Sequence, residues 1–421
     1  MTKGICQIID NYRLNKFVIV AEVEVGWMLY NTTTGGIVHI KSSEDLHKSL
    51  NNLVEMYYYV PIEFNEIEWI NDLRTKKNLK SVNGVIDGFT ILTTMDCNAR
   101  CFYCYEKGRP HISMTDTIAQ DVANFIVKHS KNHLVHIRWF GGEPLMNTNA
   151  IDIISNVLID NGIKFKSTMI SNGLLFSNSI ILKAKNIWKI KNIQITLDGT
   201  KEVYQKAKAY KDAVGNEFET VINNIRKITS ENIKVSIRLN QGNYNTSDLL
   251  DLIDYLATKF KGNKLISIYN SLLYDDNLRN DKQAYEQFQI VQNKIMECGF
   301  FAGSYLKSKL KIRHCMADND MSVVITPTGN IGKCEHYTDQ YIVGNIYDDK
   351  LNQSEILRCK EQYKPTQKCF ECPLYPQCVR ITLCPEEKEF CSLTQCENKI
   401  ELIQRELVKK YKSKIATQVV G

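Results

Sequence analysis

The 421-residue chain holds 53 basic and 47 acidic residues, a net charge of +6, with 43% hydrophobic and 24% charged residues. That composition is globular; no apolar run approaches the eighteen or more residues of a membrane span, and the mild, dispersed positive charge argues against nucleic acid as a partner. Fourteen cysteines beside only 8 prolines are the unusual feature, in a chain long enough for two to four domains that need no covalent staples.

The segment Met1-Thr2-Lys3-Gly4-Ile5-Cys6-Gln7-Ile8-Ile9-Asp10 shows no basic stretch followed by an apolar core, so no export signal is read there and a cytoplasmic location is expected. In a reducing cytosol, clustered cysteines serve as metal ligands or redox groups rather than bridges. Along the chain, residues 1–85 predict a small α+β module: alternating apolar runs at 17–23, 26–31 and 36–40 read as strands, and helical patterns follow at 43–57 and 65–73. Residues 86–300 predict six strands, at 89–93, 135–140, 165–170, 193–197, 235–239 and 265–269, separated by amphipathic helical stretches. Spacing of this kind is that of βα units, and six in succession predict an α/β fold with a parallel sheet, a partial (β/α)6 TIM-like barrel whose site lies at the strands' C-terminal ends. Residues 301–398 are cysteine-rich and loop-rich, and 399–421 close the chain with a charged helix.

The first cysteine group, Cys97-Asn98-Ala99-Arg100-Cys101-Phe102-Tyr103-Cys104, follows the first of the six strands. Three thiolates on one loop can hold three irons of a [4Fe-4S] cube and leave the fourth iron open to a small molecule. A zinc site and a set of buried unpaired cysteines are the alternatives. With an aromatic residue, Tyr103, before the third cysteine, this segment resembles the cluster motif of the radical S-adenosylmethionine (SAM) superfamily. The resemblance implies a [4Fe-4S] cluster that chelates SAM and reductively cleaves it to a 5′-deoxyadenosyl radical, with the electron coming from a flavodoxin- or ferredoxin-type donor.

Further segments resemble the family's motifs in order. Gly141-Gly142-Glu143-Pro144, 37 residues after Cys104, resembles the GGEP motif that binds the SAM amino group, where glycines permit close backbone approach. Ser171-Asn172-Gly173 resembles the ribose-contacting segment, Thr196-Leu197-Asp198-Gly199 the S-x-D-G stretch, and Arg238 with Asn240 an R-x-N pattern whose arginine meets the SAM carboxylate. Read from the residues alone, the first three could also be turns and Arg238 a surface ion-pair partner.

Downstream, Cys315, Cys334, Cys369, Cys372, Cys378, Cys384 and Cys396 form a long ordered series that suits a metal-stapled segment, a pair of zinc ribbons being one reading. The series resembles the SPASM extension of radical SAM enzymes, although Cys378-x5-Cys384 is longer than the usual x3. The resemblance implies two auxiliary [4Fe-4S] clusters, one on Cys315, Cys334 and Cys384 and the other on Cys369, Cys372, Cys378 and Cys396. A fourth ligand for the first of these is Cys298, Cys391 or none; Cys6 and Cys359 stay ordinary thiols.

SPASM enzymes act mostly on peptides, and the N-terminal module resembles the extra domain of peptide maturases, which often binds a leader peptide by adding a strand to its sheet; a capping module without a ligand is the other reading. The expected activity is therefore installation of a thioether, ether or carbon–carbon crosslink in a ribosomally synthesised precursor peptide. A sulfatase-maturing, formylglycine-forming enzyme and a non-catalytic, zinc-stabilised peptide-binding protein are the alternatives. After Asp198-Gly199 the family's H-D-x2-R segment is missing, which leaves the catalytic base open and Tyr204, Lys206 and Tyr210 as candidates to touch the substrate.

Overall fold

The structure is a computed structural model that describes residues 4–79, 85–130, 134–273, 281–300, 304–306, 310, 316–317, 319, 321–336, 342–348, 350–358, 370–378 and 393–419. The chain divides into two compact units that do not follow chain order. One comprises Met1–Val82, Gly303–Cys315 and Lys360–Gly421; the other comprises Asn83–Ala302 and Met316–Cys359.

In the first unit, β1 (Ile8–Ile9), β2 (Tyr12–Leu14), β3 (Val18–Glu22), β4 (Trp27–Asn31), β5 (Ile37–Ile40) and β6 (Tyr59–Pro61) make two three-stranded antiparallel sheets, ordered β1-β2-β6 and β3-β4-β5. The β3–β4 hairpin closes on Gly26, whose φ of +78° and missing Cβ let the backbone pass the Ile40 carbonyl, where a Cβ would stand only 1.9 Å away. The helix expected over 43–57 divides at Ser49 into Ser43–Lys48 and Leu50–Glu55. Ser42 caps the first piece by accepting from Asp45 N at 3.2 Å. One face of β3 and β4, through Ile19, Ala21, Met28 and Tyr30, is buried against Ile403, Leu407 and Tyr411 of the long helix Leu393–Val419.

The turn Cys372–Cys378 belongs to the same body. Gln377 donates to Tyr30 Oη and to the Thr32 carbonyl, each at 2.7 Å, Arg74 donates to the Tyr375 carbonyl at 3.0 Å, and Thr32 donates to the Pro373 carbonyl at 2.6 Å. The N-terminal module and this cysteine turn thus share one polar clamp.

The second unit is built on a nine-stranded sheet, ordered β12-β11-β10-β9-β8-β7-β13-β14-β15. Six strands, β7 (Gly88–Thr94), β8 (Val135–Gly141), β9 (Phe165–Ser171), β10 (Ile190–Leu197), β11 (Lys234–Gln241) and β12 (Ile266–Leu272), run parallel and sit where the six apolar runs place them. Alternation along them is the reason: Ile137 and Trp139, Ile193 and Ile195, Ile237 and Leu239 point into a core shared with Val122, Ile126, Ile154, Ile225 and Leu252 from the crossover helices. Each such side chain contributes about 1.5–3 kcal/mol of burial. The other face of the same strands carries Arg138, Thr168, Gln194, Arg238 and Tyr269, all at least partly exposed.

Sequence periodicity missed the remaining strands. β13 (Ser322–Ile325) adds to the edge of β7 in parallel, and β14 (Asn330–Gly332) and β15 (Ile342–Asn345) continue the sheet antiparallel. Part of the cysteine-rich stretch is thus continuous with the parallel sheet.

Candidate active site

The cysteine loop leaves the end of β7 and is held by its own backbone. Asp96 N donates to Thr94 Oγ1 at 3.0 Å, and Cys97 N to Asp96 Oδ1 at 2.8 Å. The Ala99 N–H points at Cys97 Sγ, 3.4 Å away. The loop is tied to the end of helix Lys201–Lys208: Arg100 N donates to the Lys208 and Ala209 carbonyls at 2.9 and 3.1 Å, and Lys211 N to the Asn98 carbonyl at 2.9 Å. Ala209 takes a left-handed conformation, φ +43°, to end that helix.

Gly141 and Gly142 let the exit of β8 lie flat on this loop. A Cβ on Gly141, whose φ is +119°, would stand 2.1 Å from the Thr94 carbonyl oxygen, and one on Gly142 would stand 2.2 Å from the Asp96 carbonyl oxygen. Their neighbours use the closeness: Gly142 N donates to Thr94 O at 3.0 Å and Glu143 N to Asp96 O at 2.9 Å. Glu143 is fully buried, and its carboxylate accepts from Ser171 Oγ, Asn172 N and Leu145 N at 2.8–3.1 Å. Burial pushes its pKa up to about 7 against these lowering hydrogen bonds. In this arrangement Glu143 knots the ends of β8 and β9, and the Gly141–Gly142 backbone faces the cavity beside it.

That cavity, of about 240 Å³, is lined by all three loop cysteines, Tyr103, the two glycines, Ser171, Asn172, Arg238 and Asn240. Asn172 reaches the loop, donating to Asn98 Oδ1 at 2.6 Å with Cys97 Sγ at 3.9 Å. Arg238 donates one Nη to Ser271 Oγ at 3.1 Å, while its buried Nε has no hydrogen-bond partner among the described residues. An unpaired guanidinium donor is poised for an anionic group.

Asp198 stands behind Tyr103. Its carboxylate accepts from Tyr103 Oη at 2.6 Å and lies 3.1 Å from Lys208 Nζ, a fully buried ion pair outside hydrogen-bonding geometry at that oxygen. Lys208 Nζ also donates to Tyr103 Oη at 3.2 Å. Burial pulls the Lys208 pKa down, yet Asp198, Tyr103, Cys101 and Tyr204 together hold it well above the ordinary lysine value. Burial also raises the thiols: Cys97 is pushed up to about 12, with Glu143, Cys101 and Cys104 adding to it, and Cys104 rises as well.

Of the sequence candidates, Tyr103, Gly141, Gly142, Ser171, Asn172, Arg238, Cys97, Cys101 and Cys104 meet around one cavity. Tyr204, Lys206 and Tyr210 do not line it. Tyr204 and Tyr210 are buried with their hydroxyls 2.7 Å apart, and Lys206 is exposed. The lysine that reaches the cavity is Lys208; two residues along a helix is about 200° of rotation, so Lys206 and Lys208 face opposite sides. Sequence reading also missed Tyr105 and His336, stacked with ring centroids 4.2 Å apart, which line the same cavity with Glu335.

Of the second cysteine group, Cys334 is described in the sheet-bearing unit, and Cys372 and Cys378 in the other. Cys315, Cys359, Cys369, Cys384 and Cys391, and the side chain of Cys396, lie outside the described residues. Cys298 caps the end of helix Lys282–Glu297, and Cys6 is exposed.

The residues present fit a cluster with SAM beside it. Three thiols line one side of the cavity, a side-chain-free backbone corner borders it, and an unpaired arginine donor looks on. Among the described residues no group of three or more His, Cys, Asp or Glu side chains is placed to hold a single metal ion.

Residues 91–256 match the family model described as the Radical SAM superfamily. The chain is similar to the radical SAM cyclopropyl synthase TigE of Paramaledivibacter caminithermalis, 22% identical over 84% of this chain and 79% of that protein. Curated GTP 3′,8-cyclases match more locally: that of Limosilactobacillus fermentum is 30% identical over 40% of this chain, and the match spans only half of its own length. Among solved structures, anSMEcpe with bound AdoMet superposes with a TM-score of 0.57 at 15% identity, covering 78% of this chain and all of that one. Streptococcus suis SuiB bound to precursor peptide SuiA superposes with a TM-score of 0.52 at 14% identity, covering 90% and 98%. Residues 91–256 are thus a radical SAM domain, and the chain that carries it is an enzyme.

Proposed function

We propose that this enzyme matures a ribosomally synthesised peptide by installing a thioether, ether or carbon–carbon crosslink. The observation that carries the reading is the convergence on one cavity of Cys97, Cys101 and Cys104, the Gly141–Gly142 corner, Asn172 and the unpaired Arg238 Nε. The chemistry a [4Fe-4S] cluster supplies there is one-electron reductive cleavage of SAM to a 5′-deoxyadenosyl radical, which abstracts a substrate hydrogen. The three cysteines hold the cluster, Gly141 and Gly142 offer backbone to the amino acid end of SAM, and Arg238 meets its carboxylate. Tyr103, fixed by Asp198 and Lys208, packs beside the cluster, and Ser171 and Asn172 face the ribose. The parallel strands then form a partial (β/α)6 barrel around the reacting atoms.

A peptide substrate is supported by the SuiB likeness, since that protein is seen with its precursor peptide. The remaining assignments belong to the same reading: auxiliary [4Fe-4S] clusters on Cys315, Cys334 and Cys384 and on Cys369, Cys372, Cys378 and Cys396, a leader-binding role for residues 1–85, and a flavodoxin- or ferredoxin-type donor. One rival stands on a specific observation, formylglycine formation, because anSMEcpe superposes over its whole length and is also seen with bound peptides. Anaerobic co-expression with a precursor peptide, and separately with a sulfatase peptide, followed by mass spectrometry, separates the two. A crosslink in the precursor, absent when Cys97, Cys101 and Cys104 are changed to Ala, supports the maturase; an aldehyde in the sulfatase peptide alone supports the rival.

A further inference from the structure

The inner face of the parallel sheet is charged with one sign only. Strands β7 to β12 contain no aspartate or glutamate, while His136, Arg138, Lys166, Lys191, Lys234 and Arg238 all lie on them. Four of these, His136, Arg138, Lys166 and Lys191, line a second cavity of about 460 Å³ with Thr90 and Thr168. The cavity opens near the strands' N-terminal ends, whereas the cluster loop follows the C-terminal end of β7.

The register brings these side chains close together. His136 pairs directly with Lys166 across β8 and β9, and Lys191 follows Ile190, which pairs with Ser167. Arg138, Lys166 and Lys191 line one cavity as like charges that repel, and the described residues of its lining include no carboxylate to offset them. A cationic concavity of this kind concentrates anions and steers their approach.

We propose that this cavity recognises an acidic segment, rich in glutamate or aspartate, of the peptide substrate, holding one part of the peptide while the reacting residue reaches the cluster end of the sheet. The proposal deepens the maturase reading and rests on it. A carboxylate-bearing peptide suits the site better than a nucleotide or phosphate. Crossover helices begin at the opposite ends of the strands, so among the described residues no helix N-terminus or glycine loop lines the cavity to cradle phosphate, and the lysines are separate point charges on separate strands.

The test uses full-length, anaerobically reconstituted enzyme and a fluorescein-labelled peptide with four glutamates spaced by glycine, beside the same peptide with glutamines, read by fluorescence anisotropy. The expected result is that the glutamate peptide binds roughly tenfold or more tightly than the glutamine peptide, with the preference shrinking as salt rises. The pair Lys166→Glu and Lys191→Glu removes the preference and Lys166→Arg with Lys191→Arg keeps it, with melting temperature and iron content confirming that both variants fold. Equal binding of the two peptides, or a preference that survives charge reversal, overturns the proposal. So does binding of inorganic phosphate or ATP more tightly than the glutamate peptide. The two readings fail separately. If the reversed variant crosslinks a precursor at an unchanged KM, the acidic-segment site is wrong and the maturase stands. If glutamate preference is found and lost as expected while no precursor is modified, the site stands and the maturase does not.

Discussion

Lys208 is the most informative position to perturb, because it places a buried cation between the cluster loop and Asp198. The ammonium is 4% exposed and Asp198 fully buried, so neither charge is relieved by water. Lys208→Met keeps the length of the side chain and leaves the Asp198 carboxylate with Tyr103 Oη as its side-chain donor. Removing one partner of a buried pair costs about 3–5 kcal/mol, while neutralising both is often tolerated. At about 2–4 °C per kcal/mol for a unit of this size, the apparent melting temperature of Lys208→Met falls by roughly 6–20 °C. Asp198→Asn combined with Lys208→Met recovers most of that loss, because an asparagine oxygen still accepts from Tyr103. Raising the pH leaves the pair intact across the neutral range: the folded-state pKa of Lys208 lies above the unfolded value, so its contribution is complete below the unfolded pKa and is lost only as pH rises through the folded one. The assay is anaerobic differential scanning fluorimetry on the single and double variants. A loss under about 1 kcal/mol for Lys208→Met, or a double variant no more stable than the single, refutes the argument that the pair is a coupled buried unit.

Three further outcomes follow from the cavity. Gly141→Ala puts a methyl group against the Thr94 carbonyl at a φ of +119°, so SAM binding measured by calorimetry on reconstituted enzyme is lost while circular dichroism stays near wild type. Arg238→Gln removes the unpaired Nε donor and weakens SAM binding about 10–100-fold, the equivalent of about 1.4–2.7 kcal/mol. Glu143→Gln changes the pH profile of stability: the Glu143 carboxyl holds its proton to about pH 7 in the fold but only to about 4.5 unfolded. Its stabilising contribution is therefore present below pH 4.5 and lost by about pH 7, on the order of 3 kcal/mol over that window. In denaturant titrations across pH 4.5–8, wild type minus Glu143→Gln should show that loss, and a flat difference would contradict it.

The six parallel strands were legible because each repeats the same physics within a few residues: apolar side chains such as Ile237 and Leu239 on alternate positions, then polar or small residues where the strand ends. The cysteine spacing and Gly141-Gly142 were legible for the same reason, being local patterns with a local steric cause. What escaped was non-local. β13 is four residues long and acquires its meaning only by pairing with β7, more than 200 positions earlier; nothing in Ser322–Ile325 announces that partner. Tyr103, Asp198 and Lys208 likewise become one network only after the chain returns. With the family's H-D-x2-R segment missing, a helix with lysines at 201, 206 and 208 offers no sequence signal for which one is buried. Helical rotation decides it, turning Lys208 inward beside Ala207 and Tyr204 and leaving Lys206 exposed. The cationic inner face was hidden in a different way. Its charges are scattered one or two to a strand over β8 to β11, and each reads as an ordinary solvent-facing residue. Only the parallel register, which brings Arg138, Lys166 and Lys191 to the lining of one cavity, turns scattered charges into one cationic surface.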